Sequence, residues 1–214
     1  SSSPNDHGGG MYNLFSSPVI TSCTFEDNTA DLGGGMSNSS SSPTVTTCAF
    51  SGNTANGSGG GMYNEESSSP AVVSCRFSGN TAYRGGGMLC QEESSPSLLE
   101  CEFEGNVATL QGGGMALVTG ASPTVTGCTF SGNSAEFGGG GMLTGSSSPI
   151  VTNCVLWGDA SSSGNPEIHD FGTVVSTITY SDVQGGYLGV GNIDADPLFL
   201  DASSGDLRLQ AGSP

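Results

Sequence analysis

The chain has 214 residues, and its three Arg, no Lys and twenty acidic residues give a net charge of −17. This charge argues against a nucleic-acid partner, which needs a basic surface, and against attraction to an anionic membrane. No run of about 20 apolar residues is present, so we predict no membrane-spanning helix and no direct membrane insertion. With 36 Gly and 10 Pro the composition would suggest disorder if it were aperiodic.

The sequence is strongly periodic, because one unit recurs every 25 to 27 residues. Each unit begins with a proline and a β-branched run, at Pro18, Pro43, Pro70, Pro96, Pro123 and Pro149. Cysteine follows five positions later, at Cys23, Cys48, Cys75, Cys101, Cys128 and Cys154. Phenylalanine stands two positions after cysteine, at Phe25, Phe50, Phe77, Phe103 and Phe130. Asparagine stands five positions after cysteine, at Asn28, Asn53, Asn80, Asn106 and Asn133. A methionine follows each glycine cluster, at Met11, Met36, Met62, Met88, Met115 and Met142. Such a period indicates a repeat architecture.

The apolar residues of each unit form short runs rich in Val, Ile, Thr and Phe, bounded by Gly, Pro and Ser, which indicates short strands separated by turns. Three strands would fill one period, and stacking the units about 4.8 Å apart gives each unit a neighbour on both sides. The pattern therefore predicts an all-β fold, a parallel β-helix with about six regular coils over residues 1–159. Irregular coils over residues 160–214 are expected to close the C-terminal end of the same solenoid, with Trp157 and Phe199 covering its core.

Equivalent residues of successive coils are expected to form columns inside the solenoid. The Phe, Cys and Met columns would fill the interior, and the Asn side chains would form a ladder, because an unpaired buried amide costs about 1 to 3 kcal/mol. The column cysteines are predicted to be buried thiols, with disulfides such as Cys23 with Cys48 as the alternative, since stacked Cα atoms lie within disulfide range. Cys90 lies off the column and is a candidate for an exposed thiol.

Four glutamates, Glu65, Glu66, Glu92 and Glu93, fall in the same variable loop of adjacent units. Like charges placed side by side repel each other, so these carboxylates are either solvated or gathered around a hard cation. The sequence thus leaves open a Ca²⁺ site at this loop and predicts no other cofactor.

Enzymatic chemistry is the main alternative to a structural role. Glu100 and Glu102, two positions apart on a predicted strand, meet the carboxylate separation of a glycoside hydrolase. However, Glu102 is predicted to pair with Arg76 of the preceding coil, no Lys is present, and His7 and His169 each stand alone. We therefore predict no enzyme, with a polysaccharide lyase or glycoside hydrolase as the alternative. An ice-binding row of Thr side chains is a further alternative, although the row breaks in the third unit.

The segment CTFSGNSAEFGGGGM, in which Phe-x-x-Asn precedes a glycine cluster and an apolar residue, resembles the repeats of the polymorphic outer membrane proteins. The segment TYSDVQGGYLGVGNIDADPLFLDASSGDLRLQAGSP is similar to the tail of secreted β-helix proteins of the choice-of-anchor type. These resemblances cover nearly the whole chain. They imply a right-handed parallel β-helix at an extracellular or cell-surface location, with structural or adhesive roles and no catalytic residues to carry over.

The predicted function is that of a non-enzymatic structural or adhesive protein outside the cell. The open ends of a β-helix carry unpaired backbone groups that must be covered. We therefore expect self-association, end to end or lateral, with head-to-tail stacking into a fibre. Glycans of a host cell or matrix are the other expected partners.

Overall fold

A computed structural model describes residues 6–172 and 176–214. Over these residues the chain winds into stacked coils, and successive coils place their strands in four parallel sheets, three of seven strands and one of six. We name each sheet after the residue that most often points inward from it: Met, Val, Phe or Ala. The predicted parallel β-helix is confirmed.

The strands are numbered in chain order. The methionine sheet consists of β1 (Met11–Leu14), β5 (Met36–Ser39), β9 (Met62–Glu65), β13 (Met88–Cys90), β17 (Met115–Val118), β21 (Met142–Gly145) and β25 (Ile168–Phe171). The valine sheet consists of β2 (Val19–Thr21), β6 (Thr44–Thr46), β10 (Ala71–Val73), β14 (Ser97–Leu99), β18 (Thr124–Thr126), β22 (Ile150–Thr152) and β26 (Thr177–Thr179). The phenylalanine sheet consists of β3 (Thr24–Glu26), β7 (Ala49–Ser51), β11 (Arg76–Ser78), β15 (Glu102–Glu104), β19 (Thr129–Ser131), β23 (Val155–Trp157) and β27 (Asp182–Val183). The alanine sheet consists of β4 (Thr29–Leu32), β8 (Thr54–Ser58), β12 (Thr81–Arg84), β16 (Val107–Gln111), β20 (Ser134–Ala135) and β24 (Ala160–Ser161). An antiparallel hairpin, β28 (Phe199–Asp201) and β29 (Asp206–Leu209), joined by a short 3₁₀ helix (Ala202–Ser204), follows the coils.

Each full coil contains four strands, not the three predicted. The reason lies at the corners, where a single residue with positive φ ends one short strand before the next begins. In one coil these residues are Ser22 (φ 52°), Asp27 (φ 53°), Gly33 (φ 66°) and Ser40 (φ 49°). Non-glycine residues rarely adopt this conformation, so the corners at Ser22, Asp27 and Ser40 carried no glycine signal in the sequence.

The register between coils aligns equivalent residues of the repeat. Met pairs with Met, Val with Val and Phe with Phe along the stack. The five Phe rings lie parallel with centroids 4.7 Å apart, and Phe50, Phe77, Phe103 and Phe130 are fully buried. The columns thus form one continuous core, as their inward-facing apolar positions require.

The stack continues past residue 159, where we had placed the end of the regular coils. Strands β24 to β27 extend all four sheets, because Ile168, Ile178 and Val183 keep apolar side chains at the inward positions although the repeat motif is lost. Irregular structure begins only after Val183, with a parallel bridge from Asp182 to Ile193 and then the hairpin.

The C-terminal end is covered differently from the prediction. Tyr187 packs against the core, and Asn192 donates to the backbone oxygens of Ile178 and Tyr187 at 3.0 and 3.1 Å. Trp157 lies on the outward face of β23, because its neighbour Leu156 takes the inward position. Phe199 lies in the hairpin and does not belong to the core cluster. The expectation that Trp157 and Phe199 cover the core is therefore wrong.

Candidate functional site

The five column asparagines form a continuous ladder, in which Asn53, Asn80, Asn106 and Asn133 are fully buried and Asn28, in the first coil, is half-buried. Asn80 shows the pattern: its Nδ2 donates to Asn106 Oδ1 and to the Phe50 carbonyl oxygen, both at 2.9 Å. Its Oδ1 accepts from the backbone N and from Nδ2 of Asn53, at 3.0 and 2.9 Å. Every donor and acceptor of the side chain is used, so the ladder is a structural element with no free group for chemistry.

A second amide ladder, which the sequence analysis missed, runs along the methionine sheet. Asn13 Nδ2 donates to Asn38 Oδ1 and Asn38 Nδ2 donates to Asn64 Oδ1, each at 2.8 Å. Asn64 Nδ2 then donates to the sulfur of Cys90 at 3.5 Å. Cys90 is fully buried, so its assignment as an exposed thiol is wrong. The equal spacing of these residues in the repeat was the signal that could have revealed the ladder.

All seven cysteines are free thiols. In the column, the sulfurs of Cys48, Cys75, Cys128 and Cys154 each accept the backbone N–H of the preceding cysteine at 3.3 to 3.4 Å. Burial raises the pKa of the Cys75 thiol to about 12. A thiol with such a pKa carries almost no thiolate at neutral pH and is a poor nucleophile. Cys23, in the first complete coil, is exposed, unlike the rest of the column.

The four loop glutamates do not converge on one point. Glu65 Oε2 accepts from the Tyr63 hydroxyl at 2.9 Å, whereas Glu66 Oε2 accepts from Ser39 and Ser40 at 2.6 and 2.9 Å. Burial raises the pKa of Glu65, and the two serine hydroxyls lower that of Glu66.

Glu92 Oε1 accepts from the Gln91 side-chain amide at 3.4 Å, and Glu93 lies beside the turn at Gly120. Across residues 6–172 and 176–214 no three His, Cys, Asp or Glu side chains are arranged to hold a metal ion. The geometry therefore gives the Ca²⁺ interpretation no support.

One cluster has the composition of a catalytic triad but not its geometry. His7 Nδ1 lies 3.3 Å from Ser37 Oγ and 3.8 Å from Glu65 Oε1. In a working triad the serine and the acid bind opposite ring nitrogens, so that the histidine can relay a proton. Ser37 is also fully buried. The cluster cannot act as a nucleophilic site.

The carboxylates proposed for hydrolysis are occupied by other groups. Arg76 pairs with Glu102 at 3.4 Å, as predicted, and also with Glu104. Glu100 Oε2 accepts from Ser74 Oγ at 3.4 Å. Since the arginine holds Glu102, the pair of Glu100 and Glu102 lacks a free second carboxylate.

The Asn ladder ends on a buried acid. Asp159 Oδ1 accepts from the backbone N and Nδ2 of Asn133 at 2.7 and 2.9 Å, as each asparagine Oδ1 does. The backbone N of Asp159 donates to Glu167 Oε1 at 3.2 Å. The other two oxygens, Asp159 Oδ2 and Glu167 Oε2, are buried and accept no hydrogen bond.

These two carboxyl groups interact, and two carboxylate oxygens can form a hydrogen bond only if one carries a proton. Burial and the charge of Glu167 raise the pKa of Asp159 well above its usual range, and burial raises that of Glu167. Protonated Asp159 would offer an acceptor at Oδ1 and a donor at Oδ2, the same pattern as an asparagine amide. Glu167 then takes the place of the next rung.

A groove lies outside the core, on the outer face of the methionine sheet. Its volume is about 520 Å³. It is lined by Arg84 and Gln111 from the alanine sheet and by Val118, Thr119, Leu143, Gly145, Ser146 and Phe171 from the methionine sheet and its turns. No sequence pattern pointed to this site, because its residues come from four coils and do not repeat.

Comparison with known families matches residues 2–130 to the family described as the right handed beta helix region. No curated protein matches the chain. In the described part of the chain no helix has the length and apolarity needed to span a bilayer. The match covers more than half of the chain and agrees with the stacked parallel sheets. The chain therefore belongs to the right-handed beta helix family.

Proposed function

We propose that this protein is a non-enzymatic, extracellular β-helix that acts in adhesion by binding glycans on its side surface. The observation that carries the proposal is the groove on the methionine sheet, where polar and aromatic side chains remain available. The amides of the Asn ladders and the Arg76 guanidinium are, by contrast, engaged in contacts between coils. The acidic composition and the resemblance to secreted β-helix proteins support the extracellular location.

The test is a glycan array followed by an activity screen on every glycan that binds. We expect binding without change of the glycan, as judged by chromatography of the recovered sugar. Turnover of a bound glycan would instead establish the alternative, a carbohydrate-active enzyme. Absence of binding to any glycan would reject the adhesive function.

Self-association is a second candidate function, favoured by the first coil. Phe15 and Val19 are each 77% exposed there on the side of the solenoid. At the C-terminal end, Tyr187 and the segment around Asn192 cover the last coils. Lateral association through the apolar side surface is therefore the form of self-association that we propose. Electron microscopy and sizing of wild type and Val19→Asp test it, because monomers of wild type at all concentrations would exclude it.

A further inference from the structure

The groove lies on the outer face of the methionine sheet, next to a small apolar cluster. Along this face Tyr63, Leu89 and Ala116 are buried together and pack with Leu32 of the alanine sheet. Beyond them, Leu143 continues the row in register and lines the groove.

The groove has room for a ligand for a specific reason. Gly145 ends β21 where the preceding coil has Val118, so no side chain fills that place. Phe171 follows in register with Gly145 and is 64% exposed. The volume of about 520 Å³ is within the range of about 300 to 1,000 Å³ found for small-ligand sites.

Unused polar groups surround this space. The side chains of Gln111, Thr119 and Ser146 line it, and none of them has a hydrogen bond to another described residue. An amide and two hydroxyls can bond to the hydroxyls of a sugar, while an exposed aromatic ring offers a flat apolar surface to one face of its ring. These features together fit a carbohydrate.

Arg84 adds charge selectivity. The other two arginines are neutralised, Arg76 by Glu102 and Glu104 and Arg208 by Asp206. Arg84 has no carboxylate partner among the described residues and lies with its guanidinium 5.8 Å from the Tyr83 ring centre. A free guanidinium binds a carboxylate in a bidentate manner.

The net charge of −17 restricts the length of an acidic ligand. Charges farther apart than about 8 Å are largely screened at physiological salt, so contact with Arg84 can dominate for one carboxylate. A long polyanion would lie against many acidic residues, and Glu93 stands near the turn that follows Thr119.

We infer that the groove binds a short oligosaccharide carrying a single uronic acid, with its carboxylate on Arg84 and a sugar face on Phe171. This inference rests on the proposed glycan-binding function and specifies the ligand of the same site. Gln111, Thr119 and Ser146 hold the sugar hydroxyls.

Calorimetry with disaccharides, each in a neutral and a uronic acid form, tests this inference. Wild type should bind the acidic form at least about 10-fold more tightly than the neutral form. Arg84→Gln should abolish this preference, and Phe171→Ala should weaken binding of both forms. The matched control Arg208→Gln removes an exposed arginine elsewhere and should behave as wild type. Circular dichroism checks that each variant folds.

The outcomes separate this inference from the proposed function. If wild type shows no preference for the acidic sugars, or if Arg84→Gln keeps it, the assignment of Arg84 is wrong. If an acidic dipeptide binds as tightly as the acidic sugars, the groove recognises only a carboxylate group and is not a sugar-binding site. If neither disaccharide form binds but the array shows glycan binding, adhesion stands and this groove is not its site.

Discussion

The buried acid pair at the end of the Asn ladder should make the stability of the protein depend on pH. Because burial raises the pKa of both Asp159 and Glu167, we expect the folded state to hold one proton between them, whereas both groups ionise near pH 4 in the unfolded chain. Because the folded-state pKa is raised, the stabilisation is complete below the unfolded pKa and is lost as pH rises through the folded pKa. One such proton changes the free energy of unfolding by about 1.4 kcal/mol per pH unit in this window.

Asp159→Asn should remove this dependence. The amide keeps the acceptor for the two donors of Asn133 and supplies a permanent donor to the Glu167 carboxylate. The variant should match wild type near pH 4 and exceed it increasingly above about pH 5, by up to about 1.4 kcal/mol per unit. Asp170 is the nearby acid on β25, but Thr144, Ser176 and Tyr187 already donate to it and lower its pKa.

Urea unfolding between pH 4 and 8, followed by the fluorescence of Trp157, measures the difference. Trp157 is the single tryptophan of the chain and lies two positions before Asp159, so it reports on the coil concerned. The charge-matched control Glu136→Gln changes an exposed acid and should keep the wild-type slope. If Asp159→Asn keeps that slope too, the pair holds no proton. If Asp159→Asn is less stable than wild type at every pH, the site needs an ionised Asp159, and the reasoning fails.

Three further predictions test the ladders, the glycine turns and the thiols. Asn80→Ala leaves several buried hydrogen-bonding groups of the adjacent asparagines unpaired. At about 1 to 3 kcal/mol for each unpaired group, the free energy of unfolding measured in urea should fall by roughly 3 kcal/mol or more. A loss no greater than that caused by Asn56→Ala, at an exposed asparagine, would contradict the structural role of the ladder. Gly60→Ala places a Cβ 2.4 Å from the Gly86 carbonyl oxygen and should prevent stable folding. Gly105→Ala, which meets no atom within 4 Å but has φ of 59°, should cost only about 1 to 2 kcal/mol; equal melting temperatures for the two variants would refute the steric argument. A thiol reagent added to native protein should modify Cys23 rapidly and the buried thiols only after unfolding. Rapid modification of more than one thiol per chain would show that the buried cysteine column is accessible and would contradict this prediction.

Much of the fold could be predicted because the repeat places the same residue at the same height in every coil. A period of 25 to 27 residues with Phe, Cys and Asn at constant offsets specifies columns whichever way the chain turns between them. The Asn ladder follows from the cost of an unpaired buried amide, and the pairing of Arg76 with Glu102 follows from their shared offset. These inferences need only spacing and elementary energetics.

The number of strands in each coil was not predictable in the same way. Ser22 and Asp27 turn the chain with positive φ, a conformation that their residue types do not demand. The end of the solenoid was also misjudged, since Trp157 appeared suited to cover the core by its size. Packing decided otherwise, because Leu156 already occupies the inward position and Tyr187 reaches the core from a later turn.

The sequence by itself therefore determined the periodic part of this protein: the parallel stack, its inward columns and the Asn ladder, all of which depend on local spacing. Only the tertiary structure shows the two places where non-repeating residues come together, the buried acid pair and the groove. Asp159 meets Glu167 across eight residues, and Arg84 meets Phe171 across more than three coils in one groove. Neither proximity follows from the repeat period, because each depends on how a non-repeating loop or strand end packs against the regular coils.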